Sequence, residues 1–291
     1  MLLRGTRSRR EVLTGVVCFA AGWGMVHPAR SQTALRLALT PVLLTSDLVM
    51  LEELKRYLET ALARPVHLVT RRTYQEITAL LISRQVEAAW ICGYPFVAYR
   101  SELALVAVPL WHGQPLYRSY LIGCLDQKAE GFADLAGTVH AFSDPDSNSG
   151  YLVTCAALAE MGTTPERFFR QFFFTYGHRN VVRAVSAGLA VAGSVDGYVY
   201  DVLGETEPDL TARTRVIRRS ELLGFPPIAC PASEEQSPAI SQLRDALIRM
   251  STDAQGRRVL SMLRLDGFSV ESPELFDGIA AKMRLVRRMP E

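Results

Sequence analysis

The stretch Thr138-Val139-His140-Ala141-Phe142-Ser143-Asp144-Pro145-Asp146-Ser147-Asn148-Ser149-Gly150 decides how this chain is read. Residues 138–142 read as a β-strand, Asp144-Pro145 turns the chain, and Ser147, Asn148 and Ser149 are good helix N-cap formers. Gly150 lets a ligand come close to the backbone. A helix N-terminus carries unpaired N–H groups and the positive end of the macrodipole, so hydroxyl side chains gathered there suit an anion. An ordinary well-capped helix has the same composition, and the segment alone leaves both readings open.

Strand and helix alternate on both sides of it. Upstream, residues 35–39, 66–69, 87–91, 103–110 and 117–125 read as strands. Between them lie a helix with Leu51, Leu54, Leu58 and Leu62 on one face, capped by Thr45, Ser46 or Asp47, and a second helix over 74–83. Downstream, residues 149–161 and 180–188 read as helices, and 172–175, 191–196 and 214–217 as strands. The chain then passes Gly224-Phe225-Pro226-Pro227 into the apolar Ile228-Ala229-Cys230. Three helices finish it, the first with Ile240, Leu243, Leu247 and Met250 at helical spacing. Such alternation predicts mostly parallel sheets with helices on both faces, either as one doubly wound sheet or as two units. A length of 291 residues accommodates both.

The N-terminus reads as an export segment. Ser8-Arg9-Arg10-Glu11-Val12-Leu13 has the twin-arginine pattern, followed by a short Gly-interrupted apolar run and Pro28-Ala29-Arg30-Ser31. A signal peptide over residues 1–31, cleaved between Ala29 and Gln32, fits better than an uncleaved anchor. It addresses the mature chain to the bacterial periplasm. The segment holds five arginines and one acid, so its removal turns the formal charge of +2 to −2. Nothing in that balance calls for nucleic acid or a membrane surface. Cys92, Cys124, Cys155 and Cys230 remain, without metal-ligand spacing.

Three motifs fall in one order: Glu87-Ala88-Ala89-Trp90-Ile91-Cys92-Gly93-Tyr94, then Asp144-Pro145-Asp146-Ser147-Asn148-Ser149-Gly150, then Tyr176-Gly177-His178. In that order the chain resembles the phosphonate-binding family of periplasmic solute-binding proteins over residues 34–285, with Ser-x-Ser-Gly its most specific element. The resemblance implies a bilobed α/β fold, two doubly wound lobes joined by a two-strand hinge. Lobe 1 would take residues 34–122 and 226–291, and lobe 2 residues 123–225, with crossings near Cys124 and Ile228. It implies a monomer without cofactor that captures a small oxyanion, such as phosphonate or phosphite, between the lobes. The partner would be the permease of an ATP-driven importer.

Roles follow residue by residue. Ser147, Asn148 and Ser149 match the turn that holds the oxyanion in this family, with Asn148 standing where Thr is commoner. His178 matches a histidine that donates to the same anion; helix capping is its simpler reading. Asp196 falls near an acid that takes the ligand's amino group. Cys92 replaces a tyrosine found after the Trp in aminophosphonate binders, and Tyr94 would swing into the site. A related subgroup senses arsenite through one cysteine and reports to a membrane kinase, which makes a sensor using Cys92 the alternative. Packing is the favoured role of Cys92. A Ser149–His178 hydrolase is a third reading, and it lacks the Gly-x-Ser-x-Gly elbow. Cys124 and Cys230, if side by side in the crossings, would be in reach of a disulfide, with two unpaired thiols the favoured alternative.

Overall fold

Local chemistry starts the first unit. The computed structural model describes residues 33–40 and 48–289. The export segment 1–31 and the candidate caps Thr45, Ser46 and Asp47 lie outside the described residues. Strand β1 (Leu35–Leu39) is buried at every position but Arg36. Helix Leu48–Leu62 buries Leu54, Leu58 and Leu62 as their spacing predicts, together with Met50 and Tyr57, while Leu51, expected on the same face, is only half-buried. After β2 (Val66–Thr70), helix Tyr74–Ile82 begins at a capping box in which Thr73 and Glu76 satisfy each other's backbone N–H. Strand β3 (Ala88–Trp90), helix Gly93–Ala98 and β4 (Leu103–Leu110) follow.

The chain then leaves through β5 (Leu116–Tyr117) into β6 (Ser119–Cys124), β7 (Val139–Phe142), β8 (Gln171–Phe174), β9 (Ala192–Asp196) and β10 (Thr214–Arg219). It returns through β11 (Leu223–Gly224) to β12 (Ile228–Pro231) and, after helices Pro238–Arg249 and Ala254–Leu263, to β13 (Gly267–Ser269). Two main sheets result, ordered β13-β4-β12-β3-β1-β2 and β10-β6-β9-β7-β8, with β5 and β11 paired as a two-stranded ribbon.

Both sheets are mixed rather than mostly parallel. Only β2-β1-β3 and β8-β7-β9 run parallel; β12, β4, β13, β6 and β10 add antiparallel pairs. The parallel triplets are the βαβ units, where a crossover helix sets direction. Strands that enter a sheet from the ribbon carry no such constraint.

The expected crossing at Cys124 falls too late. Residues 119–122 belong to β6, at the heart of the second sheet, and the chain crosses at β5 instead. The reason is register: Tyr120–Gly123 are paired on both sides, with β9 and with β10. The final helix also departs from expectation. Asp277–Arg287 packs on helix Val153–Glu160 of the second unit as well as on Gly93–Ala98 of the first, so it straddles both. Gly93 makes this possible, because a Cβ there would stand 2.6 Å from Ile279 Cδ1.

The crossing correction removes the candidate disulfide. Cys230 is buried in β12 and Cys124 ends β6 in the other sheet, where its thiol donates to Val185 O at 3.2 Å. Cys92, Cys124, Cys155 and Cys230 are all free. Unfolding without reductant is expected to expose all four thiols to iodoacetamide. A peptide mass spectrum showing Cys124 joined to Cys230 would contradict this arrangement.

Candidate functional site

Every loop of the site leaves the carboxyl end of a strand, the usual address of ligands in such sheets. At the exit of β3, Trp90 Nε1 donates to Pro226 O at 2.9 Å and Ile91 N to Pro227 O at 2.9 Å. These bonds tie the Cys92 loop to the returning chain. At the exit of β7, Asp144 Oδ1 accepts from Asp146 N at 2.8 Å, Ser147 N donates to Asp144 O, and Ser147 Oγ caps Gly150 N at 3.0 Å. The helix beyond opens with one wide turn, Leu152 N donating to Ser147 O five residues back, before it tightens to the α form at Val153. Wide single turns of this kind recur at functional sites.

Hydrogen bonds draw the loops together across the two units. Asn148 N donates to Cys92 Sγ at 3.2 Å, and Tyr74 N donates to Asp144 Oδ2 at 3.2 Å. Asp196 N donates to His178 Nδ1 at 3.1 Å, which leaves the proton of a neutral ring on Nε2. That nitrogen lies 3.1 Å from Tyr74 Oη and donates to it. Asn148 Nδ2 donates to Tyr117 Oη at 2.8 Å, and Ser119 Oγ to Ser149 O at 2.6 Å. Ser147, Asn148, Ser149, His178, Cys92 and Asp196 thus meet in one closed cluster, each 2 % exposed or less.

Tyr94 does not join them. Cys92 sits at the N-cap position of the short helix, so Tyr94 is already on its first turn; its half-buried hydroxyl is acted on by Asp146, Arg287 and Cys155. Tyr198, two residues beyond Asp196, lies on helix Gly197–Thr206 and donates to Leu263 O. Tyr74, Tyr117 and Asp144 are the site residues that sequence reading missed. The Thr73–Glu76 capping box signals the helix start that carries Tyr74; no local signal marks Tyr117.

Burial dominates the electrostatics. It pushes the Cys92 thiol up to about 12, against the N–H groups of Asn148 and Tyr94, and the Asp196 carboxyl up to about 7. It holds His178 neutral, its pKa down to about 3. Among the described residues no lysine or arginine bonds to these groups, and the undescribed residues 41–47 contain none. The cluster is left with a specific shortage. Ser143 Oγ, Asn148 Oδ1 and Ser149 Oγ are buried without a hydrogen-bond partner, three of the six such side-chain atoms among the described residues. Buried polar atoms are nearly always paired, so three orphans between Ser143 and Ser149 leave unused hydrogen-bonding capacity in this loop.

Two alternatives lose their geometry here. A thiol that ionises only near 12 is not the thiolate that a soft ligand requires, which disfavours the Cys92 sensor. A hydrolase needs a nucleophile bonded to its base, yet both nitrogens of His178 face other partners and Ser149 Oγ has none. No group of three or more His, Cys, Asp or Glu among the described residues is arranged to hold a metal ion.

Two α/β units on a two-stranded ribbon, with polar loops closing on a common cleft, define a bilobed periplasmic binding protein. The family of periplasmic substrate-binding proteins of phosphonate ABC transporters matches residues 37–276, and the chain belongs to it. Solved structures share the fold. A binding protein component of an ABC phosphonate transporter from Pseudomonas aeruginosa is 20 % identical, with a TM-score of 0.80 over 89 % of this chain and 88 % of that one. PhnD1 from Prochlorococcus marinus, in complex with methylphosphonate, is 15 % identical, with a TM-score of 0.78 over 88 % and 98 %. The alkanesulfonate-binding protein SsuA from Xanthomonas axonopodis pv. citri, bound to MOPS, is 17 % identical, with a TM-score of 0.62 over 90 % and 96 %.

Proposed function

We propose that the cleft between the two sheets captures a small phosphonate-type oxyanion on the Ser147–Gly150 turn, with Ser149 Oγ as one donor, the Tyr74 hydroxyl, held in place by His178 Nε2–H, as another, and Tyr117 closing over it. The single observation that carries this reading is the set of orphaned polar atoms on that turn. Donors fixed in place and shielded from water bind an anion more tightly than exposed ones. As a family member the protein delivers its ligand to the permease of an ABC importer in the periplasm. The Ser8–Leu13 twin-arginine pattern supports export with cleavage between Ala29 and Gln32.

Ser147 and Ser149 separate binding from folding. Ser149 Oγ meets no partner at good hydrogen-bond geometry, with Asp196 and Tyr117 its polar neighbours, so Ser149→Ala is expected to cost little stability and weaken phosphite or methylphosphonate binding by about 10–150-fold, from about 1.5–3 kcal/mol per hydrogen bond to a charged group. Ser147 Oγ caps the wide turn, so Ser147→Ala should cost about 0.5–2 kcal/mol of stability as well. Calorimetric titration with a parallel urea melt measures both. Unaltered affinity in Ser149→Ala would remove the turn from the site.

A further inference from the structure

We infer that Tyr117 is a positioning residue: its hydroxyl donates to Asn148 Oδ1 in the complex, the Asn148 amide turning over so that its N–H groups meet the oxyanion. The inference rests on the anion site proposed above and concerns how that site acquires one of its donors.

The balance of donors and acceptors favours the turned amide. As the side chain stands, Nδ2 donates to Tyr117 Oη at 2.8 Å, and Oδ1 is buried without a partner. The Tyr117 proton is accepted by neither Asn148 Oδ1 nor Ser149 Oγ, since both atoms are unpaired. A buried lone pair with nothing to accept from is costly, and on the anion's own turn it repels the ligand as well. Half a rotation about the last side-chain bond exchanges the amide nitrogen and oxygen and moves no other group. Oδ1 then accepts from Tyr117 O–H, and the N–H groups point where Oδ1 had no partner. The 2.8 Å separation also suits O–H···O, usually about 2.7–2.8 Å, better than N–H···O at about 2.9–3.0 Å.

Tyr117 is the fixed member of the pair. It is fully buried, its backbone pairs with Leu223 in the ribbon, and its ring packs on Phe225 with centroids 5.5 Å apart. Burial holds its ionisation well above the ordinary range, so the hydroxyl keeps its proton. The Asn148 backbone is tethered through its N–H to Cys92 Sγ, which leaves the amide as the part that turns. Among the described residues no lysine or arginine bonds to the cluster, so neutral donors must carry the anion. The turned amide adds one beside Ser149 Oγ and Tyr74 Oη.

The test uses methylphosphonate with the mature protein. NMR of the wild-type complex is expected to show scalar coupling across the hydrogen bond, from the Asn148 amide nitrogen to the ligand phosphorus. Calorimetry should find Asn148→Val weakened by about 10–150-fold, one hydrogen bond to a charged group. Asn148→Thr, with a hydroxyl that rotates to donate unaided, should stay within about ten-fold of the wild type. Tyr117→Phe should weaken binding by about ten-fold when residue 148 is Asn and by little when it is Thr. A merely structural role for Tyr117 would cost the same in both backgrounds. Equal losses in the two backgrounds, Asn148→Val binding like the wild type, or a complex without the coupling each overturn the proposal. The coupling needs no variant to fold. If Ser149→Ala still loses affinity in those cases, the anion site stands without this donor. Failure of the wild type to bind methylphosphonate or phosphite refutes the site and the proposal together.

Discussion

Gly150→Ala is expected to lower oxyanion affinity by roughly a hundred-fold or more, the equivalent of about 3 kcal/mol of overpacking at the turn. An added Cβ would stand 1.8 Å from Ser143 Oγ, 2.7 Å from Ser143 Cβ and 3.0 Å from Ser147 Oγ. Rotating the Ser143 hydroxyl away relieves the first contact and leaves the second. The turn itself must then move, and with it Ser143 N, which donates to Gly150 O at 3.2 Å, and Gly150 N, which Ser147 caps. Both bonds hold Ser149 Oγ where a ligand meets it. The pair Ser143→Gly with Gly150→Ala removes the two closest contacts and should recover most of the affinity. Calorimetry on the single and double variants checks this; a single variant that binds like the wild type would mean that the turn's shape does not matter.

Acid should unfold the protein earlier than its composition suggests. His140 is fully buried against Phe142 and Phe169, with Nε2 2.9 Å from Ser194 Oγ and Nδ1 unpartnered. Burial takes its pKa down to about 3, as it does for His178. Each ring therefore gains its proton in the unfolded chain near the ordinary 6.5 and in the folded chain only near 3. Stability contributed by the two neutral rings is complete above about 6.5 and lost as pH falls below it. Asp196 acts in the opposite sense: with its pKa at about 7 folded and 3.8 as the ordinary value, the folded chain holds that proton more firmly. From about pH 6.5 to 4 the unfolded chain thus binds one more proton net, a loss of about 1.4 kcal/mol per pH unit. Below about 4 Asp196 is protonated in both states and the slope doubles to about 2.7 kcal/mol per unit. Urea melts from pH 7.5 to 3.5 measure it. His140→Gln, which can still bond Ser194, should level the upper segment, and a wild-type stability indifferent to pH down to 4 would rule the buried rings out.

The strand–helix alternation, the burial of Leu54, Leu58 and Leu62 in helix Leu48–Leu62 and the Ser147 cap of the turn that follows β7 were legible in the sequence. They depend on neighbours within one or two turns: periodicity decides which face is buried, and cap residues act on N–H groups two or three positions away. The order of the motifs around Cys92, Ser149 and His178 carried the family, which the match over residues 37–276 bears out. Sequence also put Ser147, Asn148, Ser149, His178, Cys92 and Asp196 at strand exits, because those residues follow short apolar runs directly.

What tertiary structure decided is everything that needs two distant segments at once. Strand direction in β6, β10, β12 and β13 depends on where the chain crosses, and the paired flanks of β6 moved that crossing from Cys124 back to Leu116–Tyr117. Cys124 and Cys230 were thereby separated into different sheets. Tyr74 and Tyr117 entered the site through hydrogen bonds spanning 104 and 31 residues, and Tyr94 left it because Cys92 takes the N-cap position. The state of the buried groups was also beyond the sequence. Asp196, His178 and Cys92 are ordinary side chains until packing removes the water and cations that would set their charge, and desolvation is a property of the whole surrounding volume.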